Sequence, residues 1–292
     1  MPPRNHTLRE IREKGQPPGL KERRNEEHWA GRLYARSLSP LLTWVSLRIG
    51  FSPNQLTYLM ILAGIGAGFA FGLMPGLTGA IVGAVLVQLY LILDCTDGEV
   101  ARITGRTSIT GVYLDRLGHY FSEVSVVIGL GFRAERQFET PWSQGGWIML
   151  GLLGALGVAL IKAETDNVVV ARAKSGLPAD PPGGDRALRP SATWLALARQ
   201  AASLLKFHRI IGAVELSLLI LAAAVLDLVL DLPVPGDRGW FAYTPLESGP
   251  ASYFGEPLEW SVTRGLLVAV AAVAVLQTVL HFVSIVASRR LK

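Results

Sequence analysis

Residues Asp94 to His119, DCTDGEVARITGRTSITGVYLDRLGH, decide how the rest of the chain is read. They begin where a run of 43 residues without a charge, Phe51 to Leu93, comes to an end. Asp94 and Asp97 stand three apart and Asp115 and His119 four apart, so each pair lies on one face of a helix. Gly98, Ala101 and Gly111 are small enough to let a ligand approach the backbone, and Arg102 adds a fixed positive charge. The pattern predicts a polar pocket between two facing helix ends. Carboxylates at the end of a membrane-length apolar run are costly unless paired, hydrated or bound to metal, which makes them functional candidates. Their hard oxygens suit Mg²⁺ or Mn²⁺. Two such ions holding a diphosphate would account for several carboxylates and an arginine in one place. Any single aspartate is equally well explained by a solvated loop between two spans, but the joint spacing is not.

The same residues resemble the signature D-x2-D-G-x2-A-R-x8-G-x3-D-x3-D of the CDP-alcohol phosphotransferase family. Asp94, Asp97, Gly98, Ala101, Arg102, Gly111 and Asp115 match it with every gap correct, and His119 stands where the family has its fourth aspartate. The resemblance implies an all-α fold of six transmembrane helices. It also implies a metal-dependent transferase of phospholipid biosynthesis that releases CMP from a CDP-alcohol, often CDP-diacylglycerol. In that family the fourth aspartate is a metal ligand and the proposed general base.

Half of the 292 residues are hydrophobic and 17% are charged, with a mean hydropathy of +0.35. That balance indicates a polytopic membrane protein. The net charge of +5 is better explained by contact with a membrane surface than with nucleic acid, because the basic residues are not interleaved with stacking aromatics. Cys95 is the only cysteine, which excludes an intrachain disulfide. A thiolate also suits an oxygen-loving metal poorly.

In chain order, residues 1–27 are polar and broken by Pro17, Pro18 and Gly19, and read as a flexible cytoplasmic tail. Residues 28–50 interleave Trp29, Leu33, Tyr34, Leu38, Leu41, Leu42, Trp44 and Leu47 with Arg32, Arg36 and Arg48, as an interfacial helix interrupted near Pro40 would. Residues 51–292 form the membrane domain. SPNQLT, with Ser52 as N-cap and Pro53 as helix start, resembles the family's P-N-x-x-T opening of its first transmembrane helix. Met74-Pro75-Gly76 divides the long run into spans 55–73 and 77–93. Further spans are expected at 111–132, 140–161, 210–230 and 265–288. Residues 175–206 read as a loop with a short amphipathic piece, and Pro233 to Trp260 as an aromatic-rich outer loop.

Of the 28 Lys and Arg residues, 24 fall on one side of this arrangement, which predicts that both termini and the mouth of the site are cytoplasmic. The resemblance assigns Asp94, Asp97, Asp115 and His119 to metal, Gly98, Ala101, Arg102 and Gly111 to the nucleotide, and a homodimer to the assembly. By geometry His119, one turn beyond Asp115, takes the general-base role beside Asp115, alone or while also binding metal. Glu123, another turn along, would hold its second ring N–H. In the branch of the family that makes phosphatidylinositol phosphate, a K-A-R-A-E-like segment holds the acceptor's phosphate. Val170 to Lys174 is aligned with it here, so Arg172 and Lys174 are the expected acceptor-binding residues, although Lys162, Glu164 and Asp166 also sit at the mouth. A phosphorylated polyol, an uncharged alcohol and a lipid alcohol all remain open as acceptor. A family member that binds nucleotide-lipid without turnover, and a transporter with acidic residues at mid-membrane, are the competing readings.

Overall fold

The computed structural model describes residues 6–17, 29–135, 145–178, 211–230, 232, 261–287 and 291. Among them there are helices and no strands. The expected outer loop, Pro233 to Trp260, lies outside the described residues, as does all but the first few residues of the 175–206 loop.

Among the described residues eight α-helices follow one another: α1 (Leu8–Gly15), α2 (Arg36–Ile49), α3 (Pro53–Leu73), α4 (Gly76–Thr104), α5 (Ile109–Glu135), α6 (Gly146–Lys174), α7 (Ala213–Val229) and α8 (Val262–Ala287). α3 starts as its sequence dictates. Ser52 is the N-cap, its side chain accepting the Gln55 N–H, while Gln55 returns a bond to the Ser52 N–H and Pro53 fills the first helical position. Helices α3, α4, α6 and α8 are long and apolar enough to cross a membrane. α5 and α7 occupy the other two expected spans. α5 carries Asp115, Arg116, Glu123, Arg133 and Glu135, and α7 has only 17 residues.

α3 is the central strut, packed along both α4 and α5. The approach to α5 is close enough that a Cβ at Gly68 would collide with the backbone of Ser125, and one at Gly72 would meet Cβ of Phe132 at 3.0 Å. Small residues in such a stripe let two helices meet backbone to backbone in lipid, where packing drives association.

Within the expected tail, the described residues 6–17 include a helix packed against the bundle. Thr7 and Glu10 form a capping box at the start of α1, Ile11 is 1% exposed, and a Cβ at Gly15 would meet Cβ of Glu99 at 3.2 Å. Three donors converge on the fully buried Glu99 carboxyl: Gln16 Nε2 at 2.8 Å, Ser39 Oγ at 2.5 Å and Thr43 Oγ1 at 2.6 Å. α2 also runs through Pro40 without a break. Pro40 has no N–H for the Arg36 carbonyl one turn back, and Gln16 Nε2 donates to that carbonyl at 2.6 Å. Ser39 and Thr43 of α2 therefore face inward onto Glu99, while Leu38, Leu41, Val45 and Ile49 are exposed, as suits a helix at a lipid interface.

At the opposite end of the bundle, buried carboxylates cap helix starts. Glu135 accepts the N–H groups of Gly145, Trp147 and Ile148 ahead of and within the first turn of α6. Asp227 accepts those of Val262 and Thr263 at the start of α8. Within the bundle, Trp29 Nε1 donates to Glu215 at 2.8 Å, which accounts for the carboxyl inside the fifth expected span.

Candidate metal and nucleotide site

α4 does not end with its apolar run. It continues to Thr104 and stops at Gly105, whose φ of 65° is left-handed and whose N–H closes on the Ala101 carbonyl. Asp94, Asp97, Gly98, Ala101 and Arg102 thus project from one rigid helix, and Gly111, Asp115 and His119 from the first turns of α5 facing it.

Asp94, Asp115 and His119 each offer a ligand atom within 4.8 Å of the others. His119 Nε2 lies 3.4 Å from Asp94 Oδ1 and 3.7 Å from Asp115 Oδ1. Two carboxylates and an imidazole form a donor set that can hold a divalent cation. Asp97 lies outside that cluster. It is 8% exposed and accepts the Thr57 hydroxyl at 2.6 Å. Thr57 and Asn54 both belong to the P-N-x-x-T stretch, and Asn54 Oδ1 lies 3.3 Å from where a Cβ on Gly111 would stand. The start of α3 thereby touches both halves of the motif. A Cβ on Gly98 would meet the Arg102 guanidinium at 3.1 Å, so that guanidinium lies over the backbone Gly98 leaves open. Arg102 Nε donates to the Gly15 carbonyl at 2.7 Å, bringing α1 into contact with the motif.

The residue behind His119 differs from the expected one. Glu123 turns to α6 and pairs with Lys162 at 3.1 Å. The Tyr90 hydroxyl meets His119 Nδ1 instead, the two rings lying edge to face with centroids 5.8 Å apart. Periodicity placed Glu123 on the right face of α5 but carried no information about a lysine on α6. Tyr90 stands one turn before Asp94 on α4, and the facing of α4 and α5 that joins it to His119 is not given by the periodicity of either helix.

Beside His119 a cleft of 420 Å³ opens between α5 and α6, lined by Asp115, Arg116, Tyr120, Lys162, Thr165 and Asp166 among others. Arg116 pairs with Asp166, which also accepts the Tyr120 hydroxyl at 3.0 Å. Arg172 and Lys174 do not line this cleft. α6 runs on unbroken past Lys162, so Arg172 lies ten residues, or about 15 Å, further along. There it is 2% exposed and donates from Nε to the Pro178 carbonyl at 2.7 Å. Lys162 was legible in the sequence as a residue of the mouth, whereas Arg116 became visible only when the two helices were placed side by side.

The described residues form an all-helical bundle in which carboxylates and a histidine face each other across two helices, a donor set that could hold a metal ion. Sequence comparison matches residues 51–230 to the CDP-alcohol phosphatidyltransferase family, and the chain belongs to that family. It is an integral membrane protein. It is 31% identical over 149 residues to phosphatidylinositol phosphate synthase of Mycobacteroides abscessus, covering 50% of this chain and 61% of that protein. It is 32% identical over 82 residues to archaetidylinositol phosphate synthase of Pyrococcus horikoshii, covering 28% and 42%. It is 30% identical over 109 residues to the bifunctional IPC transferase and DIPP synthase of Aquifex aeolicus, covering 37% and 23%. Each match spans less than two thirds of the relative.

Proposed function

We propose that this protein transfers a substituted phosphate from a CDP-alcohol, CDP-diacylglycerol, to the hydroxyl of an acceptor and releases CMP. The observation that carries the reading is the convergence of Asp94, Asp115 and His119 beside the α5–α6 cleft. Two ions, Mg²⁺ or Mn²⁺, held by Asp94, Asp97, Asp115 and His119, would supply neutralisation of the diphosphate and stabilisation of the leaving CMP. Gly98, Ala101 and Gly111 leave room for the cytidine, and Arg102 supplies a positive charge over Gly98. The acceptor oxygen forms its bond to phosphorus as the bond to the CMP oxygen breaks. The acceptor's proton passes to His119 Nε2 when that nitrogen holds no ion, and to an Asp115 carboxylate oxygen when it does, because a metal-bound nitrogen has no lone pair left to take a proton.

The acceptor sits in the cleft between α5 and α6. Its cations, Arg116 and Lys162, are paired with Asp166 and Glu123, so an acceptor phosphate binds by exchanging with a carboxylate. Arg172 is turned to its own helix end and is not assigned to the acceptor.

The test is CMP release by purified protein given CDP-diacylglycerol, Mg²⁺ or Mn²⁺ and a panel of phosphorylated and unphosphorylated polyols. Release that depends on both metal and acceptor supports the reading. No release with any acceptor supports instead a family member that binds nucleotide-lipid without turnover.

A further inference from the structure

His119 has two ring nitrogens, and only Nε2 faces Asp94 and Asp115. To ligate a cation or accept a proton there, the neutral ring must keep its hydrogen on Nδ1. Something must then receive that hydrogen, and the group in place is the Tyr90 hydroxyl. Tyr90 is 3% exposed and stands one turn before Asp94 on α4, so the contact ties the two motif helices together directly at the site. A hydroxyl differs from a carboxylate in that it both donates and accepts. Rotating about its C–O bond, it can serve the tautomer in which Nε2–H points at the carboxylates. It can equally serve the one in which the Nε2 lone pair points at whatever the carboxylates hold. Glu123, engaged by Lys162, takes no part in the choice.

We propose that Tyr90 is the positioning residue that lets His119 stand where an aspartate would otherwise be: its phenolic oxygen accepts the Nδ1 proton and leaves the Nε2 lone pair facing Asp94 and Asp115. The proposal rests on the assignment of His119 to the metal and proton-accepting site made above. Groups behind a ligand histidine typically contribute about 10–100-fold in affinity or activity.

The experiment is a double-mutant cycle of Tyr90→Phe with His119→Asp, read in two ways. One reading is Mn²⁺ affinity from electron paramagnetic resonance titration without substrate, and the other is kcat and KM for CMP release. Phenylalanine keeps the ring and removes only the oxygen. In the His119 protein, Tyr90→Phe is expected to weaken Mn²⁺ binding and to lower kcat, each by about 10-fold or more, with KM for the CDP-alcohol little changed. In the His119→Asp background the same change is expected to do neither, because no ring nitrogen is left to orient. If His119→Asp does not fold, His119→Ala serves as the reference background. An equal loss in both backgrounds would show that Tyr90 acts only through packing and would overturn the proposal, as would unchanged Mn²⁺ affinity in Tyr90→Phe. The Mn²⁺ titration needs no turnover. Tyr90-dependent binding in a protein that releases no CMP would therefore refute the transferase reading while upholding this one.

Discussion

Asp97 keeps its carboxylate in a nearly buried position because Thr57, one turn into α3, donates to it from across the helix interface. A hydrogen bond to a charged group contributes about 1.5–3 kcal/mol, so its loss costs roughly tenfold or more in whatever the carboxylate does. Thr57→Val should therefore lower kcat/KM for CMP release by about 10-fold without unfolding the protein, since the two side chains have nearly the same shape. Asp97→Asn and Asp115→Asn each remove a charged oxygen ligand, and both should abolish release, as should excess EDTA. Undiminished release by either mutant would refute the metal assignment. The spacing of Asp94, Asp97, Asp115 and His119 was fully legible in the sequence, because three- and four-residue steps fix a helix face. The partners Thr57 and Tyr90 were not legible in those roles, because each reaches the motif from a different helix or turn and one chain's periodicity does not give interhelical register. The surroundings of Arg172 and Lys174 were not legible for a related reason. The five-residue likeness at Val170 to Lys174 carries no information on where α6 ends, and the unbroken course of that helix puts Arg172 about three turns beyond Lys162, bonded to the Pro178 carbonyl.

At the scale of elements, α1 and α2 both meet the bundle at one carboxyl group, that of Glu99. Composition alone reads the first 27 residues as a tail, since five charges in eight residues give α1 little apolar surface, and Ile11 is its one fully buried large side chain. What orders it is polar: the Thr7–Glu10 box, the Gln16 amide bridging Glu99 and the carbonyl freed by Pro40, and the Gly15 carbonyl receiving Arg102. Glu99→Ala leaves three buried donors without their acceptor, at about 1–3 kcal/mol each. Hydrogen exchange should then show lost protection across Leu8–Gly15 while α3 and α5 keep theirs, and retained protection in α1 would refute this attachment. The Glu10 carboxyl is held below its ordinary range by the Thr7 N–H. A lowered folded-state value stabilises above the unfolded value and is lost as pH falls, so the cap of α1 should weaken on acidification, read by the same exchange experiment. The contact of α3 with α5 is governed by the opposite logic. Gly68→Val places methyl groups against the Ser125 backbone, which has no room to yield. The mutant should lose at least about 1–3 kcal/mol of stability, seen as a lower thermal midpoint in detergent.

For the molecule as a whole, the question that joins fold to function is which side of the membrane the site faces. The C-terminal end of α4, the start of α5, the later turns of α6 and the short helices α1 and α2 all gather at one end, together with the polar site. The other end holds the helix starts capped by Glu135 and Asp227 and the Arg133 bond to the Gly76 carbonyl. The sequence assigns 24 of the 28 Lys and Arg residues to segments expected on the side of the site, and the retention of positive charge on the cytoplasmic face predicts that the site faces the cytoplasm. In that orientation a water-soluble nucleotide made in the cytoplasm would meet the site without crossing the bilayer, and the exposed α2 stripe of Leu38, Leu41, Val45 and Ile49 would lie in the inner interface. The protein is well suited to a labelling test because its single cysteine, Cys95, is 2% exposed and should not react. A cysteine placed at Leu177, just beyond α6, should be labelled by a membrane-impermeant maleimide only after the membrane is opened. One placed at Ser248, in the segment between α7 and α8, should be labelled in sealed cells. The reverse pattern would put the site outside and, with it, overturn a cytoplasmic CDP-alcohol as donor.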